Sequence, residues 1–374
     1  MENSKKQKKK KSRKPLYILA TFFVVFGFFI YLISRPSPED DAKKELASAY
    51  TKENVKVIWE KHKLELHDNE DFLFAVRTKL STLSLTDEEI KDCIKWLPPA
   101  PVSLNIIVVP DLSKRIIDNV NNPKQIESDI SILENIWQSF CEETKLKKNS
   151  KDKLIIDVTD EGQAKGEFRS FADSLIFDLS KSKKGQISRL YLEKKAKTYD
   201  TFTKKLYDLA KNKPIGANYW NYFETSLSRH IQKPDLFNNY NNMLILVTDG
   251  YLEAQSKERT GRAYYTGTYS ERKLICRQEG RNYNNYRNYI QPIDDCSSHF
   301  PDLKVLIVEV SERSKGSIVE KDDFGTPCDY FILKNQWQNW LTLLEIKNSN
   351  TDFFIRRSQD NQSTKGIIKK FISS

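Results

Sequence analysis

Short apolar runs separated by charged stretches dominate the chain from residue 102 onward. Five of these runs have the length and composition of strands buried on both faces of a sheet, and they are Leu104–Val109, Leu154–Val158, Ser174–Leu179, Met243–Val247 and Leu303–Val310. Helical periodicity marks the intervening residues 125–146, 184–212 and 219–231. A sixth strand is expected at Tyr330–Leu333, followed by a helix. This alternation predicts an α/β fold with a doubly wound, mostly parallel sheet flanked by helices.

The N-terminal third has a different pattern. Leu16–Ile33 contains eighteen residues without a charge, which as a helix would span about 27 Å, close to the thickness of a bilayer core. Residues 41–97 are predicted to be helical, with Thr86 and Glu89 placed as an N-terminal capping box. The predicted organisation is a basic tail (1–15), a transmembrane helix (16–34), a helical stalk (35–100), an α/β domain (101–347) with a long insertion (251–300), and a C-terminal extension (348–374).

Composition and charge refine this picture. The chain has 374 residues, of which 39% are hydrophobic, so it can bury a core and is not disordered throughout. Its net charge is +10, but residues 1–14 carry +7, which leaves +3 for the remainder. Because a basic segment beside an apolar helix stays in the cytoplasm, we expect a single-pass membrane protein whose main domain is periplasmic or extracellular. The same distribution argues against nucleic acid as a partner.

Acidic turns follow two of the apolar runs. Asp111 and Ser113 come directly after Leu104–Val109 and Pro110, and Thr248-Asp249-Gly250 follows Met243–Val247. In a doubly wound sheet, ligands bind outside the carboxyl ends of the central strands. Carboxylate and hydroxyl oxygens at these turns would be suitable ligands for a hard divalent cation.

These turns resemble those of the von Willebrand factor type A domain. The metal-ion-dependent adhesion site of that family has an Asp-x-Ser-x-Ser turn after the first strand, a Thr from a later loop, and an Asp from a Thr-Asp-Gly turn. The resemblance covers roughly residues 101–347. It implies that Asp111, Ser113 and Asp249 are the metal ligands, and that the domain mediates protein–protein adhesion or scaffolding without catalysis.

Two positions depart from the family pattern. Arg115 stands in place of the second serine, and Ala217, in the loop Ile215–Asn218, stands where the family has Thr. Either Arg115 points away and the site binds Mg²⁺ or Ca²⁺ weakly, or the guanidinium pairs with the carboxylates and substitutes for the metal charge. The expected cofactor is therefore none, or weakly bound Mg²⁺ or Ca²⁺.

The predicted insertion 251–300 is rich in tyrosine and arginine, two residue types favoured at binding hot spots. We expect it to bind a protein partner, or else to be a packing insertion. The candidate partner-binding residues are Tyr264, Tyr265, Tyr269, Arg272, Tyr283 and Tyr286. Cys276 and Cys296 lie in the same stretch and are a candidate disulfide in an oxidising compartment.

Local catalytic motifs are absent from the sequence: there is no Gly-rich phosphate loop, HExxH, GxSxG or CxxC pattern. We therefore expect no catalytic residues and a membrane-anchored binding or scaffolding protein that acts in the cell envelope, outside the cytoplasm. The abundance of Lys and Asn suggests a bacterial origin. One alternative is an adaptor subunit of an envelope secretion, conjugation or stress assembly. Another is a degenerate hydrolase that uses Asp111 and Asp249.

Overall fold

The computed structural model describes residues 37–118, 123–160, 166–183, 185–252, 293–311, 328–347, 354–357 and 361–374, together with Thr266, Ser270 and Arg272. The chain divides into two compact units. The first comprises the residues up to Ala100 together with Asp235–Phe237, and the second comprises Pro101–Pro234 and Asn238–Ser374.

The first unit is helical. Its helices are α1 (Pro38–Ala47), α2 (Lys52–Leu66), α3 (Glu70–Thr82) and α4 (Asp87–Trp96). The predicted capping box at α4 is confirmed, because Thr86 accepts a hydrogen bond from the Glu89 amide while the Glu89 carboxylate accepts one from Thr86. The unit has its own apolar core, in which the rings of Trp59 and Phe72 stack with their centroids 5.9 Å apart.

The second unit is built on a six-stranded sheet. Its strands are β1 (Val102–Pro110), β2 (Lys153–Ile156), β3 (Ile176–Asp178), β4 (Asn239–Val247), β5 (Lys304–Val310) and β6 (Phe354–Arg356). The spatial order is β3-β2-β1-β4-β5-β6, and every pairing is parallel except that of β2 with β3. The predicted α/β class with a mostly parallel sheet flanked by helices is confirmed.

Helices cover both faces of this sheet. They are α5 (Gln125–Thr144), α6 (Ser188–Asn212), α7 (Tyr219–Thr225), α8 (Cys328–Leu343) and α9 (Asn361–Ile372), with 3₁₀ turns at Lys114–Ile117, Ala172–Leu175, Leu179–Lys181 and Leu227–Arg229. Strand β1 shows why two apolar layers form. Ile106 and Val108 pack into the core that contains residues of α5, α6 and α9, whereas Ile107 and Val109 pack into the core with residues of α7 and α8.

The prediction of a strand at Tyr330–Leu333 is wrong, because these residues lie in the first turns of α8. Leu333, Trp337 and Trp340 are buried at helical spacing, so the short apolar run is one turn of a buried helix. The strand at the end of the sheet is instead β6, which pairs with β5. The segment predicted as a C-terminal extension thus contributes both β6 and α9 to this unit.

The predicted membrane topology also requires correction. Among the helices of the described residues, none is long and apolar enough to cross a membrane. The two longest, α6 with 25 residues and α5 with 20, carry charged side chains along their length. This finding contradicts the transmembrane helix that was predicted as part of the fold and the single-pass localisation derived from it. The run Leu16–Ile33 itself lies outside the described residues.

Candidate functional site

The acidic turns meet at the point where the strand order reverses. In the order β3-β2-β1-β4-β5-β6, the chain moves outward from β1 to β3 and then returns to the other side of β1 with β4. The crevice outside the carboxyl ends of such a strand pair is the usual ligand position in open α/β sheets. Here the amide of Asp111 donates to the carbonyl oxygen of Val247 at 2.8 Å, so the turn after β1 is joined directly to the end of β4.

The Asp111 carboxylate connects the two turns. Its Oδ1 accepts a hydrogen bond from the Ser113 amide at 3.0 Å, and its Oδ2 accepts one from the Thr248 hydroxyl at 3.0 Å. Ser113 in turn caps the 3₁₀ turn Lys114–Ile117 through its side chain. Asp111 and Ser113 therefore lie together in the turn after β1, and Asp111 is buried.

Arg115 extends into the interior of this site. Its side chain is only 1% exposed, with Nε 3.2 Å from Asp111 Oδ2 and Nη2 2.8 Å from Asp129 Oδ2. Nε also donates to the Asp111 carbonyl oxygen at 3.1 Å, and Nη2 donates to that of Val247 at 2.9 Å. Nη1 has no hydrogen-bond partner among the described residues. Of the two orientations considered for Arg115, the structure shows the one in which the guanidinium pairs with carboxylates.

Asp129 is a buried residue of this candidate site that the sequence pattern did not single out. It is fully buried on α5, where its carboxylate accepts hydrogen bonds from Gln125 Nε2 at 2.7 Å and from the Tyr207 hydroxyl at 3.0 Å. A signal was present, because Asp129 lies in helical register with the apolar positions Leu133 and Ile136. A charged residue on the apolar stripe of a helix indicates a buried polar contact.

Burial and ion pairing shift the pKa values of Asp129 and Arg115 in opposite directions. Burial raises the pKa of Asp129 to about 7, although the Arg115 guanidinium lowers it. For Arg115, burial lowers the pKa, but the carboxylates of Asp129, Asp111 and Asp249 raise it by more, so the guanidinium stays charged. The arginine is therefore a permanent cation in the centre of the site.

A further buried acid, Glu309, extends the polar cluster to the end of β5. Glu309 Oε2 accepts hydrogen bonds from Gln125 Nε2 at 3.1 Å and from the Ser128 hydroxyl at 2.9 Å, and it lies 3.4 Å from Arg357 Nε.

The backbone of Glu309 has a φ of 71°, a left-handed conformation that is uncommon for a residue other than glycine. It lies where the pairing register of β5 with β6 shifts between Ile307 and Val310. Such irregularities often occur beside functional sites.

The turn after β4 places Asp249 in the interior. Asp249 is fully buried, and its Oδ1 accepts a hydrogen bond from the Tyr251 amide at 3.3 Å. Gly250 follows with a φ of 93°, and a Cβ added there would lie 3.3 Å from Val310 Cγ1. Its carbonyl oxygen accepts a hydrogen bond from Trp337 Nε1 at 2.8 Å. Glycine is required at this position both by the backbone conformation and by the close packing.

The loop Ile215–Asn218 lies beside the turn after β1. The Ile215 amide donates to the Leu112 carbonyl oxygen at 2.9 Å, and Asn218 caps α7 by accepting from the Asn221 amide at 3.0 Å. Ala217 packs against the apolar core that contains residues of α7 and α8. At the position where the resemblance implies Thr, the loop therefore presents a methyl group that packs against apolar side chains.

Of the six candidate partner-binding residues in the insertion, only Arg272 belongs to the described residues. It is buried, with Nε 3.3 Å from Asp329 Oδ2 and its guanidinium 4.8 Å from the ring centre of Tyr251. The Tyr251 hydroxyl donates to the same Asp329 oxygen at 2.9 Å. The Arg272 side chain thus contacts the interior of the domain, whereas Tyr264, Tyr265, Tyr269, Tyr283 and Tyr286 lie outside the described residues.

The candidate disulfide also lies partly outside the described residues. Cys296 is buried, and burial raises the pKa of its thiol to about 12. Its expected mate Cys276 is not among the described residues, so the pairing stays a prediction. Across the described residues, no group of three or more His, Cys, Asp or Glu side chains is arranged to hold a metal ion.

Comparison of the chain with models of protein families found no match, and comparisons with curated proteins and with solved structures found no significant similarity. The protein can therefore be classified by its architecture but not assigned to a family. A mixed α/β domain with a six-stranded, mostly parallel sheet flanked by helices fits the Rossmann-like architecture that includes the von Willebrand factor type A domains.

The hydroxyl of Tyr207 offers a test of the charge on Asp129. We expect Tyr207→Phe to lower the free energy of unfolding by about 2 kcal/mol, because it removes a buried hydrogen bond to a charged acceptor. Tyr199→Phe is a matched control on the same helix, since that hydroxyl donates to the neutral carbonyl oxygen of Leu133 and should contribute only about 1 kcal/mol. Urea unfolding at pH 8 measures both values, and equal losses would argue against an ionised Asp129.

Proposed function

We propose that the second unit is a binding or scaffolding domain of the von Willebrand factor type A-like kind, which mediates a protein–protein interaction without catalysis. One observation carries the proposal: the turns that begin at Asp111 and at Thr248 are joined at the strand-order reversal of the sheet. That position is where ligands bind in doubly wound sheets.

The surroundings of the site support a binding role. The acids at the centre are held in fixed contacts: Asp111 and Asp129 are paired with Arg115, Glu309 accepts hydrogen bonds from α5, and Asp249 accepts one from the Tyr251 amide. Such a network makes the carboxyl edge rigid. A rigid edge is suited to the recognition of a partner, because little conformational entropy is lost on binding.

A charge reversal at this edge tests the proposal. Lys114 is exposed in the 3₁₀ turn directly after Ser113, and we expect Lys114→Glu to weaken the binding of a partner that co-purifies with the full-length chain by about tenfold. Lys151→Glu is the matched control, because Lys151 is also exposed but precedes β2 and so lies at the amino edge of the sheet. Equal effects of the two substitutions on the dissociation constant would refute a binding site at the carboxyl edge.

A second candidate function, that of an adaptor subunit, is favoured by the helical unit. Val57 and Leu64 lie two turns apart on α2 and are 67% and 87% exposed. Exposed apolar side chains that share one helix face are typical of helices that dock into a partner. In this function the helical unit would make the principal contact.

The double substitution Val57→Ser and Leu64→Ser separates the two candidates. Because both side chains are exposed, we expect the free energy of unfolding to change by no more than about 0.5 kcal/mol for each. Loss of the co-purifying partner in this variant, with retention in Lys114→Glu, would identify the helical unit as the adaptor surface. The opposite result would identify the carboxyl edge of the sheet.

A further inference from the structure

The divalent cation that the type A resemblance implies does not fit the residues present. Asp111 already uses Oδ1 to accept from the Ser113 amide and Oδ2 to accept from the Thr248 hydroxyl, and Oδ2 is also paired with Arg115 Nε at 3.2 Å. The position of the second serine is occupied by Arg115, which brings a positive charge rather than an oxygen ligand. A metal ion bound to the Asp111 carboxylate would be repelled by a guanidinium that is 3.2 Å from the same oxygen.

The guanidinium makes the type of contacts that such an ion would make. It binds four oxygen atoms: the Asp111 carboxylate and carbonyl, the Asp129 carboxylate and the Val247 carbonyl. These oxygens belong to three elements, namely the turn after β1, helix α5 and the end of β4. A planar fork of N–H groups is the side chain best suited to satisfy several acceptors at fixed angles without water.

The charges of the site also require a cation. Asp111, Asp129 and Asp249 are all buried, and all three attract the Arg115 guanidinium. Without Arg115, these acids would face one another in a region of low dielectric constant. Buried acids in that situation either take up protons or bind an external cation.

We propose that the guanidinium of Arg115 is the resident cation of this site and replaces the divalent ion, so that the site is assembled without metal. The inference deepens the proposed function, because it makes the binding site independent of divalent cations. The inference predicts that a metal site can be created by one substitution. Arg115→Ser removes the buried guanidinium and completes the Asp-x-Ser-x-Ser turn from Asp111 to position 115.

Calorimetric titration of the full-length chain with MnCl₂, MgCl₂ and CaCl₂ tests the proposal. For the wild-type protein, we expect no binding tighter than about 1 mM and no change of melting temperature on addition of EDTA. For Arg115→Ser, we expect a lower melting temperature that Mn²⁺ partly restores, and Mn²⁺ binding at least about tenfold tighter than in the wild type. Asp249→Ala in the Arg115→Ser background should abolish this binding. Arg115→Lys, which keeps the charge, should not acquire it.

Micromolar binding of a divalent cation to the wild-type protein that is lost in Asp249→Ala would overturn the inference, as would a folded Arg115→Ser variant that binds Mn²⁺ no better than the wild type. If Arg115→Ser does not fold, the wild-type titration and the EDTA measurement still test whether the site binds a divalent cation.

Partner binding tests the proposed function separately from the metal-free site. A metal-free site whose partner affinity is unchanged by Lys114→Glu would leave the inference standing and refute the proposed function.

Discussion

Asp129→Ala is expected to lower the free energy of unfolding by roughly 3–5 kcal/mol, which is a large part of the stability of a typical domain. The substitution removes one partner of a buried ion pair and leaves the Arg115 guanidinium charged, with one fewer acceptor and no access to water. It also removes the acceptor of the Tyr207 hydroxyl and one of the two acceptors of Gln125 Nε2, which keeps its hydrogen bond to Glu309. The loss should therefore exceed that of a simple truncation of an aspartate.

Urea unfolding followed by circular dichroism at pH 8 is the suitable measurement, because that pH lies above the Asp129 pKa of about 7. Glu134→Ala is the matched control on the same helix. Glu134 is exposed, so its loss should change the free energy of unfolding by no more than about 0.5 kcal/mol. A loss below about 1 kcal/mol for Asp129→Ala would show that the ion pair with Arg115 contributes little.

The double substitution Arg115→Met and Asp129→Leu tests the same ion pair by removing both of its members. Removing both members of the ion pair avoids an unpaired guanidinium, but Asp111 and Asp249 then lose their buried counter-charge. The double variant should therefore be less stable than the wild type, but less destabilised than the sum of the two single substitutions. In a double-mutant cycle, a coupling energy of about 2 kcal/mol or more between Arg115 and Asp129 is expected. Additive effects would indicate that the two side chains act independently, in conflict with their separation of 2.8 Å.

The central strands and the acidic turns were predictable from the sequence for a physical reason. A strand that is buried on both faces must be apolar at consecutive positions, and such runs are conspicuous in a chain that is 30% charged. The turns after β1 and β4 follow those runs directly, so Asp111 and Asp249 could be placed at one edge of a parallel sheet before any coordinates were known. The orientation of Arg115 could not be decided, because it depends on Asp129, which approaches from a helix.

The errors have equally definite causes. Tyr330–Leu333 has four consecutive apolar residues, and a run of this length does not distinguish a strand from one turn of a buried helix. Strand β6 has only three residues, which is too few to show a period. Glu309 was overlooked because a single acid in the apolar run of β5 does not disturb the strand pattern, although its burial there requires partners from other elements.

Glu309→Ala is expected to lower the free energy of unfolding by roughly 1–3 kcal/mol, because the half-buried Ser128 hydroxyl and the buried Gln125 amide each lose an acceptor. Arg357 loses its ion pair but keeps its hydrogen bonds to Gln125 and Pro123. Glu309→Gly removes the same carboxylate but tolerates the φ of 71°. We therefore expect the glycine variant to be more stable than the alanine variant by about 1 kcal/mol.

The comparison of these two variants measures the cost of the left-handed backbone conformation at position 309, because both lack the carboxylate and differ only by one methyl group. Thermal and urea unfolding measure the difference directly. Glu309→Gln serves as the control for shape, because its amide oxygen can still accept from Ser128 while the ionic attraction to Arg357 is lost. An alanine variant as stable as the glycine variant would show that the left-handed conformation carries no strain. The order expected from the φ of Glu309 is glycine above alanine, with glutamine above both, because a neutral acceptor still satisfies the hydroxyl that the other two leave unpaired.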